Sequence, residues 1–553
     1  MVRTKKRISN KVGQGIKIGL KLIAVLFIFV ALVIPNRISA ITPPAFNSFP
    51  VELLLIGLTL LAPNPAGFII RWLTAVLLTV GIVLKLADMG TYQFFDRVFN
   101  PVVDSHFWAD GLNLLQGTLG QMGAYLVVAL LCALIAGILV LVSYVLKVIQ
   151  RCLQKTPKVS SLGLGLAAGL WLILLSVGSQ TATSPFYHLM TEHVTQTLST
   201  LDDLAVFNQQ LTTDPYATVP DEALLSKLKG KDVLVVFIES YGRTVLDKAS
   251  YAEHVRPVLE QAAHDLSDKG FYARSAYLTS PTYGGISWLA HGTLMSGLWV
   301  NSQTRYDRLV GSDRPSLNRL FKRAGWRTVA VQPAHTMAWP QGEYFGYDQI
   351  YAAQDLGYQG KPFNWITMPD QYTLSAFQAR ERQSGKRSPV MAEMALISSH
   401  APWTPLPHLV DWNQVGDGSV FIEQASAGDS PETVWKETER IRVQYRKSIE
   451  YALANIASYI ATYGDDNLVV LVLGDHQPAP FVTDESESRE VIVHLISHDA
   501  KVMDAVKDWQ WAEGLLPSKQ TPVWGMDKLR AQFIDAFSEK MSGVEYKYIP
   551  IDK

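Results

Sequence analysis

The chain has 553 residues, of which 48% are hydrophobic and only 18% charged, with a formal net charge of -1. Such a length exceeds one domain, the charge fraction is low for a wholly water-borne chain, and the near-neutral balance argues against nucleic acid as a partner. The two cysteines, Cys132 and Cys152, lie in or beside one apolar segment, so no disulfide is expected in the polar remainder.

Residues 1–177 read as a transmembrane domain. Apolar runs near 19–35, 46–62, 67–86, 123–148 and 162–177 approach the length that a hydrocarbon core demands, which gives five spans. The second is the shortest and carries Glu52, so an interfacial or re-entrant segment is its alternative. Arg3, Lys5, Lys6, Arg7 and Lys11 precede the first run, and Lys147, Arg151, Lys155 and Lys158 fill the loop before the fifth. Basic loops stay cytoplasmic, so the second and third runs either both cross or both fail to cross; two crossings joined at Pro63-Asn64-Pro65 is the simpler choice, and the fifth then delivers the rest of the chain to the periplasmic or extracellular face. A cleavable leader ending at Ser39-Ala40 fits poorly at Ile38 and leaves the exported side unchanged.

The outer loop 88–118 mixes Tyr92, Phe94, Phe95, Phe99, Phe107 and Trp108 with Asp88, Asp96, Arg97 and Asp104. Aromatics there anchor an interfacial helix, and the functional alternative is a shelf for a lipid head group. Residues 178–230, amphipathic over 186–201, read as a juxtamembrane connector on the membrane surface.

Residues 231–553 alternate strand-like with helix-like segments, the pattern of a mostly parallel sheet with crossover helices. Strands are expected at 233–239, 327–332, 394–399, 468–473 and 491–496, and helices at 254–269, 315–324 and 431–463. Residues 411–430 read as an exposed insertion. Three strand ends carry chemistry: Glu239 in FIESYG, His400 in ISSHAPW, and Asp475-His476 in NLVVLVLGDHQP. Strand carboxyl ends share one rim of such a sheet, and carboxylates beside imidazoles are ready ligands for a divalent metal. A polar turn is the plain alternative for each.

The stretch TSPTYGGISWLAHGTLMSG, 279–297, supplies hydroxyls. Ser287 opens a helix-like run after Gly284-Gly285, near backbone N–H groups suited to phosphate-like anions, though an ordinary N-cap serine looks the same. Thr279, Ser280 and Thr282 are rival nucleophiles. His291, four residues on, and His335, after a strand, either line the pocket or are structural. Arg243 and Arg274 read as surface arginines, and His254, His264 and His408 as surface or loop residues.

Taken in order, Glu239, the hydroxyl at a helix start, and Gly-Asp-His behind five spans resemble the membrane-anchored sulfatase-like transferases of the alkaline phosphatase superfamily. The likeness is greatest to lipoteichoic acid synthase-type phosphoglycerol transferases, with lipid A phosphoethanolamine transferases as cousins. The resemblance implies an α/β sulfatase-like domain in which Glu239, Ser287, Asp475 and His476 bind one divalent ion, Mn²⁺ or Zn²⁺. It also implies that Ser287 is the nucleophile and that His400, with His291 and His335, faces substrate. The implied reaction moves a phosphoglycerol-type group from a membrane phospholipid through Ser287 to a hydroxyl of an envelope glycan or lipid. Serine departs from the threonine usual in such families, and the chain lacks the cysteines common in ethanolamine transferases. Ser280-Pro281-Thr282 does not provide a sulfatase's formylglycine context. A phosphoethanolamine transferase, a phosphodiesterase or sulfatase-like hydrolase of the same fold, and a non-catalytic binding domain are the alternatives.

Overall fold

A computed structural model describes residues 19–383 and 387–539, which form two compact units, 19–93 with 97–202 and 94–96 with 203–539.

In the first unit the helices are α1 (Gly19–Val33), α2 (Val51–Thr59), α3 (Ala66–Phe95), α4 (Phe107–Leu153), α5 (Pro157–Ser176) and α6 (Pro185–Leu211). Helix α4 is broken at Gly120, whose φ of 72° is not helical. Among the described residues, α3, the Thr118–Leu153 part of α4, and α5 are long and apolar enough to cross a membrane, whereas α1 is shorter. Three of the five expected spans are thus helices of that length. The second run is helical only over nine residues, capped in front by Pro50 and followed by Pro63 and Pro65. Nine residues rise about 13 Å, less than half of a ~30 Å hydrocarbon core.

Its ends are nonetheless tied to opposite ends of α5. Phe49 pairs with Ala182, and its carbonyl accepts from Trp171 Nε1 at 2.9 Å. At the other end Gln154, just before α5, donates to the carbonyls of Leu60 at 3.2 Å and Ala62 at 2.9 Å. The loop carboxylates are absorbed structurally. Asp88 is buried and accepts from Asn36 Nδ2 at 2.8 Å and Phe99 N at 2.9 Å, and Asp104 pairs with Arg97.

The second unit is built on a nine-stranded sheet. Its strands are β1 (Asp232–Ile238), β2 (Tyr272–Thr279), β3 (Arg327–Gln332), β4 (Gln349–Ala352), β5 (Val390–Leu396), β6 (Leu468–Gly474), β7 (Glu490–Ser497), β8 (Ala512–Glu513) and β9 (Val523–Gly525). They run in the order β8-β2-β7-β6-β1-β5-β3-β4, with β9 also beside β2. The β6-β1-β5-β3-β4 stretch is parallel, and β7 and β2 join it antiparallel. The sheet is therefore mixed and mostly parallel.

Alternation along the strands sorts side chains to two covered faces. Leu234, Val236, Val470 and Val472 pack under α7 (Ala249–Asp268) and a long helix, α10 (Thr438–Tyr463). Val233, Val235, Leu471 and Leu473 pack under α8 (Ser287–Ser296), α9 (Leu317–Arg323) and α11 (Met526–Phe537).

Strand β5 starts and ends earlier than the expected 394–399, because Glu393, which reads as an exposed charge, is buried inside it. Strands β2 and β4 escape the pattern, β2 because Arg274 and Ser275 interrupt its apolar alternation. Residues 411–430 are exposed along most of their length, as expected, but Val415, Phe421 and Ala425 are buried and belong to the core under α10.

Candidate active site

Strands β1 and β6 are neighbours in register, with Ile238 opposite Gly474, so the residues leaving their carboxyl ends emerge side by side. Glu239 leaves one and Asp475-His476 the other. Only glycine fits at 474, since a Cβ there would meet the Tyr241 carbonyl oxygen at 2.1 Å. Ser240 follows at φ 59°, a strained conformation for a serine, fixed where its N–H donates to Asp475 Oδ1 at 2.8 Å. The His476 N–H donates to the same oxygen at 2.7 Å.

The hydroxyl comes from the other side of the sheet's rim. The turn of 280–286 carries Gly284 at φ 71° and Ile286 at φ 62° before α8 begins at Ser287. Ser280 Oγ donates to the Asp475 carbonyl at 2.5 Å, and Gly284 N donates to the Gln477 carbonyl at 2.9 Å, which lash this turn to the Gly-Asp-His loop. Ser287 Oγ donates to Glu239 Oε2 at 3.0 Å and lies 3.1 Å from His476 Nε2. His476 Nε2 lies 3.3 Å from Glu239 Oε1 and 3.7 Å from Asp475 Oδ2, and its Nδ1 donates to the Gln477 carbonyl at 2.7 Å. That bond leaves Nε2 as the nitrogen turned to the group.

Ligand atoms of Glu239, Asp475 and His476 all fall within 4.8 Å of one another, and all three residues are buried. Burial and the charge of Glu239 push the Asp475 carboxyl up to about 6. Burial alone would lower His476, but the carboxylates of Asp475 and Glu239 outweigh it and lift the imidazole to about 9. Burial likewise opposes ionisation of Glu239, yet His476 and His400 hold it below the ordinary carboxylate range. Two buried carboxylates and an imidazole converging on one point are a donor set that fits one divalent cation, with the serine oxygen placed to be a fourth ligand.

The other expected residues are placed as follows. His400 lies four residues beyond the end of β5 rather than at it, stacked on Trp365 with ring centroids 4.1 Å apart. Its Nδ1 donates to the Ala401 carbonyl at 2.6 Å, so Nε2 is the nitrogen free for chemistry. Trp365 is held there by a tight turn in which Phe363 and Ile366, both buried, bond each other's backbones. His291 stacks on Phe237 at 3.8 Å and donates from Nδ1 to Glu393 at 2.7 Å. His335 is half-buried, and burial, then His291, lower its pKa.

The rival hydroxyls of Ser280 and Thr282 are spent on carbonyls, Thr282 on Gly285 at 2.6 Å. Arg243 pairs with Asp247 and Glu490, and Arg274 with Glu513. Trp365 and Glu393 are the residues that sequence reading passed over. Glu393 carried only the signal of an acid inside an apolar run.

Residues 231–498 match the Sulfatase family. That stretch is similar to the family over most of the second unit. The expected likeness to sulfatase-like enzymes of the alkaline phosphatase superfamily is borne out. Among characterised relatives, lipoteichoic acid synthase 1 of Bacillus subtilis is 20% identical over 290 residues, which is 50% of this chain and 40% of that protein. The chain thus matches less than half of that relative's length. Similar solved structures include the lipoteichoic acid synthase LtaP of Listeria monocytogenes, at 17% identity and TM-score 0.37, covering 57% of this chain and 74% of that one. The Streptococcus pyogenes phosphoglycerol transferase GacH gives 12% identity and TM-score 0.39, with 61% and 82% covered.

Proposed function

We propose that the protein is a metal-dependent transferase that moves a phosphoglycerol-type group from a membrane phospholipid, through a covalent ester on Ser287, to a hydroxyl of the cell envelope. The observation that carries this reading is the position of Ser287 Oγ, hydrogen-bonded to Glu239 and 3.1 Å from His476 Nε2 at the start of a helix. A serine hydroxyl so placed is a nucleophile aimed at an anion, not a helix cap, because α8 has no side-chain cap at all.

Glu239, Asp475 and His476, with Ser287, would hold one Mn²⁺ or Zn²⁺ ion, which supplies positive charge that favours the serine alkoxide and offsets that of the phosphate. Ser287 enters as the alkoxide, its proton lost to solvent, and attacks phosphorus. The bond from phosphorus to the diacylglycerol oxygen breaks, and His400 Nε2–H gives that oxygen a proton. Neutral His400 then takes the proton of the acceptor hydroxyl as that oxygen attacks, and the Ser287 oxygen leaves. His291, set by Glu393, and His335 flank the phosphate. Asp475 Oδ1, pinned by the two backbone N–H groups, fixes the His476 loop for both half-reactions.

In this reading the domain faces the periplasm or cell exterior and the chain is anchored in the cytoplasmic membrane by several crossings. The basic loops at both ends of that count support it.

The test is intact-mass spectrometry of the full chain in lipid nanodiscs with Mn²⁺ and either phosphatidylglycerol or phosphatidylethanolamine. A glycerol phosphate adduct on Ser287, absent from Ser287→Ala, is the expected result. An ethanolamine phosphate adduct would move the assignment to that transferase class. Metal-loaded protein that releases head group without any adduct or acceptor product would point to a hydrolase.

A further inference from the structure

The connections that leave β1 and β6 also enclose a second feature, an open cavity of ≈ 240 Å³ beside the Gly-Asp-His loop. Thr244, Asp247 and Lys248 form one wall, Asp484 and Ser488 the other, and Gln477 lies at its base. Gln477 directly follows His476 in sequence. Its side chain is fully buried, and neither its amide oxygen nor its amide nitrogen has a hydrogen-bond partner. A buried primary amide left with both ends unpaired has lost its water without replacement, which is unfavourable. It is also locked in place, because a Cβ on Gly242 would come within 1.8 Å of its Oε1.

The chemistry of the walls selects the occupant. Asp247 is paired with Arg243, and Asp484 with both Lys248 and Arg442. The lining cation is therefore already neutralised, which disfavours a second phosphate. The walls lack aromatic or aliphatic side chains on which an acyl chain could pack. What they offer is hydroxyl, carboxylate and amide, the groups that exchange hydrogen bonds with a polyhydroxyl compound. The volume falls below the ~300 Å³ at which pockets for drug-sized ligands begin, so it suits one ring.

The cavity is wired to the nucleophile. Tyr283, in the turn that presents Ser287, bonds Thr483 Oγ1 at 2.5 Å and the Ser486 carbonyl at 2.9 Å, both on the 483–488 wall.

From this we infer that the cavity beside Gln477 is the acceptor subsite and binds an uncharged sugar ring, whose neighbouring hydroxyl receives the group carried on Ser287. The inference rests on the transferase reading above. In the transfer the acceptor oxygen bonds to phosphorus, the phosphorus–Oγ bond of Ser287 breaks, and the acceptor proton passes to His400. Amide, hydroxyls and carboxylates hold the ring by hydrogen bonds alone, so the subsite is weak for a monosaccharide and gains from a chain of them.

The experiment uses the full chain in nanodiscs with phosphatidylglycerol, Mn²⁺ and a short β-glucan oligosaccharide as acceptor probe. It compares wild type with Gln477→Leu, Thr244→Val and Ser488→Ala, the last two being conservative changes on separate walls. The first readout is the ratio of oligosaccharide carrying phosphoglycerol to water-released glycerol phosphate, which is expected to fall tenfold or more in at least two variants. An unchanged ratio in all three, with the Ser287 adduct formed, overturns the subsite and leaves the transferase reading standing. If wild type forms no adduct, the transferase reading fails instead, and the subsite is judged by saturation-transfer NMR of the same oligosaccharide. Binding that inorganic phosphate does not displace and that the variants lose supports it. No binding to wild type, equal binding to the variants, or displacement by phosphate overturns it.

Discussion

Replacing one metal-site carboxylate should raise the stability of the metal-free protein while destroying its response to metal. In Asp475→Asn the amide oxygen still accepts from Ser240 N and His476 N, which bond Oδ1 at 2.8 and 2.7 Å, and the new N–H₂ can donate to Glu239. The carboxyl it replaces is lifted from 3.8 to about 6 by burial and by Glu239. The folded group thus holds its proton to higher pH than the unfolded one, so its contribution is full below about pH 4 and lost as pH rises through about 6. Roughly two units at 1.36 kcal/mol each make a penalty of about 3 kcal/mol at pH 8. For a unit of roughly 340 residues that is about 4 °C in Tm. Metal at a hundred times its Kd adds ~2.7 kcal/mol to wild type, again about 4 °C, and nothing to the variant. Tryptophan-fluorescence melting of the full chain in detergent, with EDTA or with Mn²⁺, between pH 5 and 8, reads both effects. A chelated variant that melts below chelated wild type at pH 8, or a gap that fails to shrink towards pH 5, would refute the reasoning.

Ser287→Ala should form no adduct and lose at least about a thousandfold in turnover, whereas Ser287→Thr, which keeps the hydroxyl at the first helical position, should stay within about tenfold, both read by product release. Trp365→Ala removes the ring stacked on His400, and a ring contact of ~0.5–1.5 kcal/mol predicts a roughly two- to tenfold fall in kcat/KM. His494 is pulled down to about 3 by burial, accepting from Tyr241 OH and donating to Ser275 Oγ. It is neutral when folded but protonates below about 6.5 when unfolded, so its stability is present above that pH and is lost as pH falls, about 2 kcal/mol by pH 5. His494→Gln should flatten the fall in Tm between pH 6.5 and 5, and an unchanged slope would remove His494 as its source.

The sheet was readable wherever a strand is buried on both faces, because burial writes an unbroken apolar run, as in 468–473 and 233–238. It was unreadable where a strand carries an internal charge answered only by tertiary partners. Glu393 is the instance: His291 and Tyr347 satisfy it, and neither lies near it in sequence. The site followed the same division. Glu239, Asp475 and His476 stand at strand ends that sequence places on one rim, but the polar pairing of Glu393 with His291 depends on a helix crossing the sheet, and the Gln477 cavity on two connections meeting in space. Trp365 depends on a turn fixed by core residues at both flanks.

Helix length alone does not decide whether the run at 46–62 crosses, and we propose that it does. Its helix covers nine residues, yet Phe49 is bonded beside Trp171 and Ala62 beside Gln154, residues some 17 positions apart along and just before α5, or about 25 Å at helical rise. Extended residues on either side of the short helix make up the difference. The segment therefore runs from one end of α5 to the other, which keeps the parity of crossings that the basic loops require. Single cysteines at Asn47 and Asn64, in a chain whose Cys132 and Cys152 are replaced by serine, test this directly. On intact cells a membrane-impermeant maleimide should label Asn47→Cys, and should label Asn64→Cys only after permeabilisation. Labelling of both from the same side would make the segment a re-entrant hairpin and reverse the side on which the sulfatase-like domain is placed.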